Sequence, residues 1–164
     1  MNRGKRILRA TVVLASVLAV AGASLALAAE ITRTEYKEQV EPICKANTEA
    51  NEKILSGVRA EVKEGKLKPA AAKFEKASAA LKTTHRELAA VPQPTADEAK
   101  LSKWLGYVKT EAELFHSAAK ALREGNKNKA ESYVVKLSHN ATLANNTVLS
   151  FGFRYCKLQP AKFT

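Results

Sequence analysis

Sulfur and imidazole are scarce in this chain. Its 164 residues hold two cysteines, one methionine (Met1) and three histidines. Cys44 and Cys156 lie too far apart for a C-x-x-C pair, and no C-x-x-C-H occurs, so dithiol redox chemistry and covalent haem attachment have no basis here. One Glu-x-x-His, Glu113 to His116, has the spacing that di-iron bundles use, but such a site needs two of these pairs plus two more inward carboxylates. On a helical wheel Glu113 falls about 130° from the Leu105/Val108/Phe115 stripe, in solvent. His85 and His139 have no matching partners, and no Ser- or Cys-centred nucleophile motif appears. The reading is a non-enzyme without catalytic residues, metal or cofactor.

What is present begins with an export signal. Arg3, Lys5, Arg6 and Arg9 precede an apolar run from Ala10 to Leu27, and Ala26-Leu27-Ala28 supplies the small-residue stop of a secretory peptidase. Residues 1–29 are therefore predicted to be removed near Ala28-Ala29, leaving one domain, 30–164, outside the cytoplasm. A retained anchor is the competing reading, since the run could just span a bilayer. No cysteine follows the stop to carry a lipid. The mature part keeps 23 of the 27 basic residues against all 16 acidic ones, a formal +7. That charge favours anionic surfaces, and export makes nucleic acid the poorest fit among them. Outside the cytoplasm an even cysteine count predicts one disulfide, Cys44 to Cys156. In the chain-entropy picture a loop that long stabilises the fold by roughly 4 to 5 kcal/mol at most.

Hydrophobic spacing predicts four helices and no strand. The first, about Thr34 to Glu64, places Tyr36, Val40, Ile43, Asn47, Ala50, Ile54, Val58 and Val62 on one face, with a kink at Pro42, whose ring removes the bond to the Glu38 carbonyl. The second runs from Pro69 to Ala90 with Phe74, Ala77, Leu81, Thr84 or His85, and Leu88 inward. Thr95-x-x-Glu98 reads as a capping box for the third, whose stripe Leu101, Trp104, Leu105, Val108, Ala112, Phe115, Ala119, Leu122 is the strongest in the chain and ends at Gly125-Asn126. Asn128 is the expected cap of the fourth, which buries Tyr133 or Val134, Leu137, Ala141, Ala144 and Val148. Asn140 and Asn145, in two glycosylation-like sequons, are read as surface residues.

Short connections force antiparallel neighbours, so the fold class is all-α: an up-down-up-down four-helix bundle. Its disulfide joins the first helix to the C-terminal tail. At 1.5 Å per residue Cys44 sits roughly 15 Å above Thr34, level with a residue near position 148. A straight fourth helix would carry Cys156 past that level. The chain must therefore leave the helix near Phe151-Gly152 and fold back, with Phe151, Phe153, Tyr155 and Phe163 covering the pole near Tyr36.

Tyr36, Ile43-Cys44-Lys45-Ala46-Asn47, the Leu122-Arg123-Glu124-Gly125-Asn126 turn, Asn145-Asn146 and Gly152-Phe153-Arg154-Tyr155-Cys156 resemble a group of small secreted or lipid-anchored actinobacterial proteins of unassigned function. The resemblance implies a helical bundle with terminal half-cystines and brings no active site. Pro42 and the lack of a lipid-accepting cysteine depart from that pattern. An antiparallel bundle would gather Lys63, Lys66, Lys68, Arg123, Lys127 and Lys129 at one pole, beside the N-termini of two helices. The functional expectation is a monomeric, non-catalytic binding protein of the cell envelope, docking there on an anionic polymer, a membrane surface or another protein. The alternative is a carrier of an apolar small molecule between the helices, against which the alanine-rich second helix predicts tight packing.

Overall fold

The first helix, α1 (Arg33–Ile54), starts where two neighbours satisfy each other's orphan groups: the Thr32 amide donates to Glu35 Oε2 at 2.8 Å, and the Glu35 amide donates to Thr32 Oγ1 at 3.2 Å. The computed structural model describes residues 30–160; the expected signal at 1–29 and Phe163 lie outside them. Pro42 lies on the exposed face of α1, and the helix continues through it. Its inward line is Tyr36, Val40, Cys44, Asn51, then Leu55 and Val58 beyond the helix end. Ile43 and Asn47, expected inside, are half-buried and flank the inward line that runs through Cys44.

The expected single helix over 34–64 is two helices. The backbone breaks at Gly57, which takes φ +74°, and resumes as α2 (Val58–Lys63). A distant side chain stabilises the break: Lys73 Nζ donates to the Ser56 carbonyl at 2.7 Å and pairs with Glu61 at 2.6 Å, so one cation serves a helix end and a carboxylate. The remaining elements are α3 (Leu67–Ala90), α4 (Glu98–Arg123) and α5 (Lys127–Thr147). The cap expected at Thr95 does not form. Thr95–Asp97 is a single tight turn, and the Thr95 amide donates to Glu30 Oε1 at 3.0 Å. The Asp97 carboxylate, in turn, is gripped by both Nε (2.8 Å) and Nη2 (2.7 Å) of Arg33. Helix α5 is capped by Asn126 rather than Asn128, its Oδ1 accepting from the Lys129 amide at 2.9 Å.

Two turns of the same construction reverse the chain at one pole. After α2 the Gly65 amide donates to Val62 and the Lys66 amide to Glu61; after α4 the Gly125 amide donates to Leu122 and the Asn126 amide to Ala121. This double bond pattern needs the residue after the cap in the left-handed region, which Gly65 (φ +76°) and Gly125 (φ +75°) supply without strain.

The expected antiparallel four-helix bundle is what forms. Helices α3 and α4 make the central hairpin, α1 and α2 lie along α3, and α5 lies along α4. The core has two apolar parts. One, nearer the glycine turns, joins Leu55, Val58, Phe74, Leu81, Phe115, Leu122 and Leu137, with alanines 70, 71, 77, 118, 119 and 121 allowing close helix approach. The other, nearer the tail, joins Tyr36, Val40, Leu88, Leu101, Trp104, Val108 and Val148 with the disulfide. Buried polar groups lie between: Ser78 Oγ donates to the Ala112 carbonyl at 2.8 Å, and Asn140 Nδ2 donates to Glu111 and to the Tyr107 carbonyl, both at 3.0 Å. Asn140 is thus interior, not the surface residue expected of a sequon.

At the other pole the chain folds back as the register argument requires. Beyond α5 a turn at Leu149–Phe151 and Gly152 (φ +59°) reverses it. The ring centroids of Phe151 and Phe153 lie 5.2 Å apart, Phe153 reaches Trp104 at 5.5 Å, and Phe151 meets Tyr36 edge-on at 6.5 Å. The Cys44–Cys156 disulfide joins α1 to the tail, with 4.9 Å between Cα atoms. Glu41 accepts the Arg154 and Tyr155 amides, Lys37 Nζ donates to the Gly152 carbonyl at 2.7 Å, and Asn145 pairs with both backbone groups of Leu158 at 2.9 and 3.0 Å. Asn145, also expected at the surface, is therefore a clamp.

Two glycines give opposite expectations. Gly125→Ala forces a Cβ into the left-handed region and should cost roughly 1–2 kcal/mol. Gly106→Ala, in the interior of α4 where an added Cβ meets nothing within 4 Å, should stabilise by roughly 0.5–1 kcal/mol. Urea denaturation midpoints of the two variants check both signs.

Candidate functional site

The two glycine turns put the ends of α2 and α4 beside the starts of α3 and α5. Because α2 packs on α3 and α5 on α4, their facing sides leave a groove of about 520 Å³. Val58, Val62, Phe74, Ala118, Leu122 and Val134 form its apolar walls, and Arg59, Lys63 and Lys127 stand on it with one acid, Glu131. Across Leu122 a second, shallower recess of about 430 Å³ is walled by Leu67 and Pro69 and carries Lys66, Lys68 and Arg123. Five of the six expected basic residues thus line two adjoining hollows. Lys129, exposed on α5, lines neither.

Their charges are not equally available. Lys66 pairs with Glu64 at 2.8 Å, but both side chains are more than half exposed, so water and salt screen the pair. Arg123 is held more firmly, by Glu75 on α3 at 2.9 Å. Burial pushes the Glu75 carboxyl up, yet hydrogen bonds from His116 and Arg123 together outweigh it and leave it below the usual carboxylate range. Lys63, Lys68, Lys127 and Lys129 make no ion pair among the described residues. Helix α3 starts without a side-chain cap, whereas Asn126 occupies an amide of α5, so the two helix starts differ in what they offer an anion.

Glu113 of the Glu-x-x-His pair is exposed, 4.0 Å from Lys109, while His116 turns to Glu75. Among the described residues no group of three His, Cys, Asp or Glu side chains could hold a metal ion. No helix among them is long and apolar enough to cross a membrane.

One titratable residue escaped the sequence reading. Glu111 is 3% exposed, and burial pushes its carboxyl up to about 7, the hydrogen bond from Asn140 only partly opposing that. A signal for it exists: the stripe Leu101, Trp104, Val108, Phe115 has its next inward position at 111, which places a carboxylate where the core expects an aliphatic residue. Because the folded value lies above the unfolded one, Glu111 contributes stability that is full below about pH 4.5 and is lost as pH rises through about 7. Within that window each pH unit removes at most about 1.4 kcal/mol. Glu111→Gln keeps the neutral shape, so the variant should gain stability over the wild type as pH rises from 5 to 8. Guanidinium titrations across that range check the divergence; parallel curves contradict it.

Comparison with family models, with curated proteins and with solved structures finds no match to this chain.

Proposed function

We propose that this is an exported, non-catalytic binding protein that docks onto an anionic lipid surface of the cell envelope through its glycine-turn pole. The observation that carries the reading is the joint chemistry of the groove between α2 and α5: apolar walls from Val58, Val62 and Phe74 under a rim bearing Arg59, Lys63 and Lys127. A purely charged polymer has no use for the apolar walls, and an uncharged partner has none for the rim. A lipid surface offers phosphate to the cations and acyl chain to the groove. The formal +7 of the mature chain adds long-range attraction of the same sign. Export rests on the charged, apolar and small-residue pattern of positions 1–29, and a disulfide between α1 and the tail is compatible with an oxidising compartment.

Each lysine near an anionic bilayer is worth about 1 kcal/mol, so reversing two should weaken binding by well over about tenfold. The test is co-sedimentation of the mature protein with vesicles of phosphatidylglycerol and phosphatidylcholine, or of phosphatidylcholine alone. The expected result is binding to the anionic vesicles only, abolished by high salt and by Lys63→Glu with Lys127→Glu. Equal binding to neutral vesicles, or a double variant that binds like the wild type, overturns the reading.

A further inference from the structure

The outer face of α5 differs in charge from those of the other helices. Helix α1 turns Glu38, Lys45 and Glu49 to solvent, and α4 turns Lys103, Lys109 and Lys120. Between Lys136 and Arg154 no Asp, Glu, Lys or Arg occurs, the longest such stretch among the described residues. The line of α5 farthest from the core there runs Val135, His139, Thr142, Asn146 and, in the turn that follows, Leu149, all exposed. Two large apolar side chains stand in it nearly bare, Val135 at 66% exposure and Leu149 at 72%. Solubility alone asks for charge on such a face, not for this strip.

By residue type the line reads alike in both directions. Its spacing of four, three, four and three keeps it on one side of the helix. Counted from Thr142, Val135 lies seven residues before and Leu149 seven after, while His139 and Asn146 fall three before and four after. A second copy laid antiparallel across it therefore sets Val135 on Leu149, His139 beside Asn146 and Thr142 on the symmetry axis, the self-complementary match of a two-fold dimer. The face also loses water cheaply. The hydroxyls of Ser138, Thr142 and Thr147 already donate to carbonyls one turn back, those of Val134, Ser138 and Leu143, at 3.4, 3.0 and 2.8 Å, so covering them orphans no donor.

We infer that the uncharged outer face of α5 is a self-association surface, on which a second copy of this chain lies antiparallel to form a weak two-fold dimer. Two copies repel through their like net charge, and this is the side on which no lysine or arginine of one is forced against those of the other. The antiparallel sense has the same cause: parallel copies would bring Lys127 and Lys129 of each together, whereas reversed copies carry them to opposite ends. A charged partner finds no counter-charge on the strip. At 1.5 Å per residue it is about 21 Å long, and with a helix width of about 10 Å and its flanking side chains it covers roughly 200–400 Å² per copy. A stable complex needs about 800 Å² per partner, so the dimer is half-formed only at roughly 0.1–1 mM. None of its residues lines the basic groove, so pairing neither needs nor blocks docking on lipid.

Sedimentation equilibrium of the oxidised mature protein, from about 10 µM to about 1 mM, tests the proposal. The expected result is a mean mass rising toward twice that of the monomer, and association at least as strong at about 0.5 M salt as at about 0.1 M, because salt screens the repulsion and no opposite charges are lost. Thr142→Lys and Thr142→Glu, exposed changes on the symmetry axis, should each weaken self-association at least about tenfold, and an equimolar mixture of the two should restore it. Val135→Cys mixed with Leu149→Cys should crosslink on mild oxidation faster than either variant alone, since antiparallel copies hold their two 135 positions about 21 Å apart. A protein monomeric at about 1 mM, a Thr142→Lys variant that associates like the wild type, a mixture that restores nothing, or Val135→Cys that crosslinks to itself as fast as to Leu149→Cys overturns the proposal.

Discussion

The seam between the first and last helices is the constraint around which this molecule is organised. Helix α1 packs on α3 and α5 packs on α4, so the two outer helices of the row have little direct contact with each other. What joins them is the tail. It leaves α5 at Gly152, is fastened to α1 by the Cys44–Cys156 bond, Glu41 and Lys37, and is fastened back to α5 by Asn145 on Leu158. Two aromatic rings from the tail, Phe151 and Phe153, complete the core against Tyr36 and Trp104. Backbone groups of the tail thus find their partners on side chains of α1 and α5, which is how a segment without regular structure can be buried at all.

That closure makes the two ends of the bundle chemically unlike. The tied end is neutralised and packed: Arg33 is consumed by Asp97, and the Asp97 carboxyl is held below its usual range chiefly by that hydrogen bond. Burial pushes the Tyr36 phenol there up to about 12, so it stays neutral. The glycine-turn end has no tail over it, and four of its lysines make no ion pair among the described residues. Between them lie Ser78, Glu111 and Asn140, polar side chains that tolerate burial because each has a partner across the α3–α4 or α4–α5 contact.

Much of this was legible. The Leu101 to Leu122 stripe sets α4 by apolar spacing alone, the glycines at 65 and 125 mark their turns, and the distance count from Cys44 foretold that the chain leaves α5 before Cys156. What stayed hidden depends on partners distant in sequence. Ile54 and Val58 keep helical spacing across Gly57, so the apolar pattern masks the break that Ser56-Gly57 marks locally and Lys73 secures from α3. Thr32-x-x-Glu35 and Thr95-x-x-Glu98 are the same pattern, and only contacts with Glu30 and Arg33 divert the second from capping. Asn126 and Asn128 are equally good caps by type. Asn140 and Asn145 match a sequon, and their buried roles follow from Glu111 and Leu158, which no local pattern pairs with them. Glu111 itself was readable at its stripe position. The basic residues were foreseen as a group, but the apolar walls between them come from α2 and α5 not meeting, a packing outcome.

Hydrogen exchange of backbone amides, followed residue by residue in oxidised and reduced protein, tests most directly whether the tail holds α1 in the bundle. In the oxidised protein α1 should exchange nearly as slowly as α3 and α4. Reduction should strip protection from α1 and residues 152–160 first, while the α3–α4 hairpin keeps most of its own. Protection that is unchanged by reduction, or that falls equally in every helix, would contradict the account.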